Sequence, residues 1–199
     1  HVYKQVSMIK DNSADDLSSV YLSYDEKPGI QAISNIAPDL PPVPGKHPTV
    51  SRDYEYKRHG TVSFLAGIDL VTGHVHHMVT DRHRSLEFVT FLRLLDICYP
   101  DDVTIRIVLD NHSAHVSKET RLYLSSVPNR FDFIFTPKHG SWLNIIESFF
   151  AKMAKTFLRG IRVNSKDELK DRITNWVGEI NAFPVVFNWK YGLDSLNEL

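Results

Sequence analysis

Short apolar runs separated by polar stretches predict five strands along this chain. The first occupies about residues 18–25, and the next two, 61–70 and 75–80, form a hairpin around a turn at 71–74. The fourth starts at Thr104 and is largely β-branched and apolar up to Leu109, which is typical of a buried strand. The fifth is the short run 131–135. Helical patterns lie between and after these strands, so the sequence predicts an α/β domain.

Apolar residues three and four positions apart predict four helices. Ser85 is expected to cap the first, and Pro100 ends it; the second covers about residues 117–125. The third has one apolar face, made of Trp142, Ile146, Phe149, Phe150, Met153 and Phe157. Residues 165–168 have the form of a capping box. They open a fourth helix whose inward side holds Leu169, Ile173, Trp176, Val177 and Ile180.

Three carboxylates stand at the ends or edges of these elements. Asp25 follows the first strand, Asp110 follows the fourth, and Glu147 lies on the flank of the apolar face of the third helix. Open α/β sheets place their chemistry at the carboxyl ends of strands. Each aspartate, taken alone, is also the kind of residue that caps a turn. Together, two strand-end aspartates and a helix-edge glutamate predict an oxygen cage for Mg²⁺ or Mn²⁺.

Residues 26–58 hold six prolines, which exclude a regular helix and disfavour a central strand. We therefore predict a long proline-rich insertion loop at 26–58. A loop of this length in a domain is usually functional, and our hypothesis is that it lies beside a substrate groove with Gln31 near the metal. Residues 1–17 are polar and predict a tail or the end of a linker, so the domain itself is expected at 18–199.

Composition narrows the class of protein. The chain has 199 residues, a net charge of −1 and one cysteine, Cys98, so it has no internal disulfide and fits a reducing compartment. It has neither an apolar run of membrane length nor a signal-peptide pattern. Its near-zero charge argues against an autonomous DNA-binding protein, although the basic residues form local patches.

Four motifs then occur in a fixed order. They are Tyr24-Asp25-Glu26-Lys27, Tyr56-Lys57-Arg58-His59-Gly60-Thr61, Leu109-Asp110-Asn111 with His115, and the stretch from Pro137 to Glu147. In this order the chain, from about residue 18 to about residue 190, resembles the catalytic domain of bacterial insertion-sequence transposases of the mariner-like superfamily, the DDE endonucleases.

The resemblance implies a ribonuclease H-like fold, a mixed central sheet flanked by helices. In that fold the first and fourth strands pair in parallel and bring Asp25 and Asp110 side by side. It implies that Asp25, Asp110 and Glu147 are catalytic and hold Mg²⁺ or Mn²⁺, two ions in all. The implied activity is metal-dependent DNA cleavage at element ends followed by strand transfer into target DNA.

The same resemblance implies the partners. These are DNA and further copies of the chain, as a homodimer or a higher synaptic complex, acting at the nucleoid in the bacterial cytoplasm. Helix-turn-helix modules are expected upstream of this chain and are not part of it. The residues expected to contact DNA are Lys57, Arg58, His59, Arg82, Arg84, His115, Asn144, Lys152, Lys155 and Arg159.

Alternatives remain open from the sequence. The same three acids would serve a hydrolysis-only ribonuclease H-like nuclease, and a decayed element would leave a catalytically silent DNA-binding or assembly module. His112 and His115 could indicate zinc, although hard-metal chemistry explains the acids better. His115 also fits a role in orienting a metal ligand. Glu26, Asp69 and Asp81 are interpreted as solvated acids.

Overall fold

The computed structural model describes residues 18–52, 54–137 and 145–186. Within these residues a single mixed sheet is formed by β1 (Ser19–Asn35), β2 (Tyr56–Asp69), β3 (Val75–Thr80), β4 (Thr104–Leu109) and β5 (Phe131–Phe135). The strand order is β3-β2-β1-β4-β5. The first three strands pair antiparallel, whereas β4 lies parallel to both β1 and β5.

Helices cover both faces of the sheet. They are α1 (Ser85–Cys98), α2 (Lys118–Ser126), α3 (Ile145–Met153) and α4 (Lys166–Ala182), and a π-helical turn, Ala154–Leu158, continues α3. One core cluster joins α1 to β1, β2 and β4, and the other joins α3 and α4 to β1, β2 and β3. In the part of the chain that the structure describes, none of the helices is both long and apolar enough to cross a membrane.

Alternation along β1 decides which side chains meet which helices. Leu22 and Tyr24 belong to the core cluster on the α1 face. Successive strand residues point to opposite faces, so Ser23 and Asp25 face α3. The backbone N–H of Ile146, in the first turn of α3, donates a hydrogen bond of 3.1 Å to Ser23 Oγ on this face. The start of α3 is thereby held over the middle of β1.

The predicted loop at 26–58 is wrong at both ends, because β1 continues to Asn35 and β2 begins at Tyr56. Pro28 is tolerated inside the strand because it lies at a β-bulge, where the pairing with β2 shifts between Lys27 and Ile30. Gly29 takes a positive φ of 71° there, which a glycine adopts without strain. Gln31 is consequently a strand residue, roughly 20 Å along β1 from Asp25, and the hypothesis that it lies near the metal is wrong.

The other predicted elements agree more closely with the structure. The bounds of β3, β4 and β5 are as predicted. The first helix has its cap one residue earlier than predicted, at Arg84, whose N–H donates to the Glu87 carboxylate at 2.9 Å. Ser165 caps α4 through the N–H of Glu168, as the capping box predicts, while the Glu168 carboxylate accepts from the N–H of Asn164.

Candidate active site

Two of the three predicted carboxylates are brought together by the parallel pairing of β1 and β4. The register sets Ser23 opposite Val108, and each is two residues before an aspartate, Asp25 in β1 and Asp110 directly after β4. Ile107 and Leu109 face α1, so Val108, which lies between them, points to the opposite face of the sheet. Asp110, two residues after Val108, points to that same face, which is also the face of Asp25. The adjacency that the resemblance implied is therefore present.

Glu147 joins them from the helix above. It lies in the first turn of α3, next to Ile146, whose backbone is bonded to Ser23. Ile146, Phe149 and Met153 bury the apolar face of the helix in the core, and Glu147 is half-buried on its flank. The helix orientation predicted for the described part is confirmed; Trp142 lies outside the described residues.

The electrostatics of Asp25 reflect the acids around it. Burial, together with the negative charges of Glu26, Asp110 and Glu147, raises the pKa of Asp25 to about 7. The N–H of Glu26, 2.8 Å from Asp25 Oδ1, acts in the opposite direction. Carboxylates that repel one another in this way favour a cation among them.

The donor set at this place fits a hard divalent ion. Asp25, Asp110 and Glu147 offer carboxylate oxygens, the ligands that Mg²⁺ and Mn²⁺ prefer. The side chain of Asp110 is 51% exposed, so a metal held there would remain open to a substrate phosphate. These three residues are the ones that could hold the ion.

Behind the aspartates, on the α1 face, lies a polar network that the sequence interpretation missed. Glu26 Oε1 accepts from the Tyr24 hydroxyl at 2.8 Å and lies 3.1 Å from His115 Nε2. His115 Nδ1 lies 2.9 Å from the backbone oxygen of Asp110 and 3.3 Å from its Oδ1. The side chains of Glu26 and His115 are 8% and 0% exposed. Glu26 is therefore a buried acid, and its interpretation as a solvated one is wrong.

Opposite shifts in pKa accompany this contact. Burial would lower the pKa of His115, but the hydrogen bond and charge of Glu26 raise it above the ordinary value. Burial would raise the pKa of Glu26, but the hydrogen bond and charge of His115 lower it. Both shifts favour the charged forms. Glu26 and His115 thus form a buried pair, 3.1 Å apart, in which each residue favours the charged form of the other.

A second group of potential metal ligands consists of Glu26, His112 and His115, whose ligand atoms all lie within 4.8 Å of one another. A metal there would need a ring nitrogen of His115. Nδ1 is already bonded to Asp110 and Nε2 to Glu26. A metal there would have to displace one of these hydrogen bonds, which disfavours this group for a metal relative to the three carboxylates.

The residues expected to contact DNA lie in several places. Lys57 and Arg58 are exposed near the start of β2, and Lys152, Lys155 and Arg159 are exposed along and after α3. Arg82 and Arg84 line an open groove of about 520 Å³ beside Pro28 and Gly29. The other residues that line this groove are Thr61, Ser63, Asp81 and His83.

Two of the expected contacts fail or cannot be placed. His115 is buried, so the prediction that it contacts DNA is wrong; its position agrees with the alternative role of orienting a metal ligand. Asn144 lies outside the described residues. His59 is half-buried and bonded to Ser34 Oγ at 2.9 Å.

Of the remaining acids, Asp81 is exposed as predicted, whereas Asp69 is buried and accepts from the N–H groups of the β2–β3 turn.

The fold and this carboxylate group define a class of protein, and sequence comparison identifies it. Residues 29–170 match the DDE superfamily endonuclease family, and since this is more than half of the chain, the chain belongs to that family. Asp110 and Glu147 fall within the match, and Asp25 lies four residues before it. A curated relative, the insertion element IS630 uncharacterized 39 kDa protein of Shigella sonnei, is 28% identical over 131 residues, which cover 65% of this chain and 37% of the relative.

Solved structures show a similar architecture. The Mos1 mariner paired-end complex with Mn superposes with a TM-score of 0.57 at 16% identity, covering 88% of this chain and 52% of that one. The catalytic domain of Mos1 mariner transposase gives 0.54 at 14% identity, covering 88% and 76%. The simian T-cell lymphotropic virus intasome gives 0.51 at 11% identity, covering 84% and 50%. The chain has the ribonuclease H-like fold, and it spans about half the length of the first of these structures.

Proposed function

We propose that this chain is the catalytic part of a DDE transposase, which cleaves DNA at the ends of a mobile element and joins those ends to target DNA. One observation carries the proposal. Asp25 and Asp110 come from the paired strands β1 and β4 and point to the face of the sheet covered by α3, which carries Glu147, in a chain of the DDE superfamily endonuclease family. The strand-transfer step is drawn from the similarity to transposases.

Each residue has a role that follows from its place. Asp25, Asp110 and Glu147 would hold the metal, and Asp110, the most exposed of the three, would leave it open to the substrate. Two bound Mg²⁺ or Mn²⁺ ions would neutralise the attacking and leaving oxygens of a phosphodiester. Asp25 lies in β1 and Asp110 directly follows β4, so strands of the central sheet hold both residues, which keeps the oxygens in a fixed geometry.

DNA is the partner in this proposal. The exposed basic residues, including Lys57, Arg58, Arg82 and Arg84, would contact phosphates and position the duplex without reading its sequence. The similarity to a paired-end complex supports assembly of two or more copies on element ends. We place the activity in the bacterial cytoplasm, as expected for an insertion-element protein.

Cleavage of a labelled duplex in Mn²⁺ tests the nuclease part. The chain, or the full-length protein that contains it, should leave 3′-hydroxyl ends, and Asp25→Asn, Asp110→Asn and Glu147→Gln should each abolish cutting. Asp101→Asn and Glu119→Gln are matched controls at exposed positions and should cut normally. Full activity in any one of the three site variants would remove that residue from the assignment.

A strand-transfer assay separates this proposal from a hydrolysis-only nuclease. Element ends with a free 3′-hydroxyl are incubated with a plasmid target in Mn²⁺. Joined products that disappear in Asp110→Asn support a transposase. Hydrolysis of the same DNA with no joined product would indicate a nuclease, and neither reaction would indicate a silent module.

A further inference from the structure

We infer that the buried Glu26–His115 pair is a positioning device, which holds both aspartates, Asp25 and Asp110, in the orientation that binds metal. This inference rests on the proposed function and deepens it. Glu26 lies on the α1 face of the sheet, opposite to Asp25, and His115 lies beside it, against Phe88 of α1.

The contact with Asp110 is made by the imidazole. His115 Nδ1 lies 2.9 Å from the backbone oxygen of Asp110 and 3.3 Å from Oδ1. Both are acceptors, so Nδ1 carries a proton and donates. The N–H of His112 donates to the same Oδ1 at 3.0 Å. The imidazole therefore fixes the backbone of Asp110 and stands close to its carboxylate, while the N–H of His112 is the hydrogen-bond donor to that carboxylate.

The contact with Asp25 is made by the backbone of Glu26. Its N–H donates to Asp25 Oδ1 at 2.8 Å. Its side chain is held on the other face, where Oε1 accepts from the Tyr24 hydroxyl at 2.8 Å and from His115 Nε2 at 3.1 Å. Glu26 thus contacts Asp25 through its backbone and His115 through its side chain, and His115 in turn contacts Asp110.

Burial makes a purely stabilising role a poor explanation. The pair is enclosed by aromatic rings, with Phe88 4.6 Å and Tyr24 5.7 Å from the His115 ring centroid. Replacing such a pair by apolar side chains is often neutral or stabilising, because the desolvation of two charges offsets their attraction. What a fully bonded buried network does provide is one fixed arrangement of its neighbours. Here the neighbours are the two aspartates.

Mn²⁺ binding to the chain tests the inference without relying on activity. Free Mn²⁺ is counted by electron paramagnetic resonance during titration of wild type, His115→Phe and Glu26→Gln. His115→Phe should bind Mn²⁺ roughly 10–100-fold more weakly, the usual cost of losing a residue that orients a metal ligand. Its unfolding midpoint in EDTA should fall, because Glu26 is left buried without its cationic partner, and adding Glu26→Gln, which removes that charge as well, should restore part of the loss. Glu26→Gln should show a smaller loss, because glutamine keeps the oxygen acceptor but not the charge.

Two controls sharpen the result. The losses caused by Glu26→Gln and His115→Phe should combine to less than their sum, because part of the effect of Glu26 passes through His115 to Asp110. His76→Phe replaces another histidine, which lies at the start of the edge strand β3 and is bonded to the Tyr99 side chain. This variant should bind Mn²⁺ like wild type.

The outcomes separate the inference from the proposed function. Equal Mn²⁺ affinity in wild type and His115→Phe would overturn the inference and leave the proposed function standing. A wild-type chain that binds no Mn²⁺ up to millimolar concentration would overturn both. If His115→Phe does not fold by circular dichroism, Glu26→Gln decides, and an unchanged affinity in that variant overturns the inference.

Discussion

Replacing Asp25 by asparagine should stabilise the metal-free protein at neutral and basic pH. The pKa of Asp25 rises from 3.8 to about 7, first because the side chain is buried and then because Glu26, Asp110 and Glu147 are negative. At about 1.4 kcal/mol per pH unit, a shift of about 3 units costs the folded state about 4 kcal/mol above pH 7. Asparagine removes the charge and keeps an oxygen for the N–H of Glu26. Its own buried amide costs about 1–2 kcal/mol, so the expected gain is about 2–3 kcal/mol.

The sign of the pH dependence follows from proton binding. Between pH 3.8 and about 7 the folded chain holds the Asp25 proton and the unfolded chain does not. This contribution therefore stabilises the wild type progressively as pH falls from 7 towards 4, and the advantage of Asp25→Asn shrinks over the same range. Above pH 7 the advantage should be constant.

Urea unfolding in EDTA at pH 8 and pH 5 measures this difference. Asp25→Asn should be more stable than wild type at pH 8, and the difference should be about 3 kcal/mol smaller at pH 5. Asp101→Asn, at an exposed position, should match wild type at both pH values. Saturating Mn²⁺ should reverse the order, because only the wild type gains from binding. An unchanged or lowered stability of Asp25→Asn at pH 8 would refute the reasoning.

Three further predictions concern other parts of the molecule. The chain should bind duplex DNA with a Kd of roughly 10⁻⁴ to 10⁻⁶ M, equally for element ends and scrambled duplex. Replacing Lys152, Lys155 and Arg159 with alanine should make this Kd less dependent on salt in titrations. Burial lowers the pKa of His76 to about 4, so the free energy of unfolding should fall by up to about 3 kcal/mol as pH drops from 6.5 to 4. His76→Phe should remove that loss in acid unfolding curves. Arg130 is buried and donates to Asp96 and to backbone oxygens at the end of α1. Arg130→Met should therefore lower the free energy of unfolding in urea by about 3 kcal/mol or more, and a decrease below about 1 kcal/mol would contradict this.

The sequence predicts much of this fold because its local signals agree with the tertiary structure. The β-branched run in β4 and the capping serines before α2 and α4 specify their elements locally. Pro28 led to the wrong prediction of a loop, because a β-bulge and Gly29 allow a proline inside this strand. The formation of a bulge depends on the neighbouring strand, so it cannot be predicted from the residues of β1 alone. The adjacency of Asp25 and Asp110 likewise depends on strand order, which only the resemblance supplied.

Glu26 was missed although a signal for it exists. Two acids in succession on a strand must point to opposite faces. Since Leu22 and Tyr24 are apolar and lie on the face of Glu26, alternation alone places Glu26 on a buried side. Its partner could not be predicted, because the contact joins residues 89 positions apart and depends on the turn after β4. The alternation of side chains along β1 therefore predicts that Glu26 is buried, but only the three-dimensional structure identifies His115 as its partner.

The most direct test of the central claim is the position of bound manganese. Crystals soaked in Mn²⁺ should show anomalous density roughly 2 Å from carboxylate oxygens of Asp25, Asp110 and Glu147, on the α3 face of the sheet. Manganese at Glu26, His112 and His115 instead, or none at the three acids at millimolar concentration, would contradict the claim that these carboxylates form the metal site.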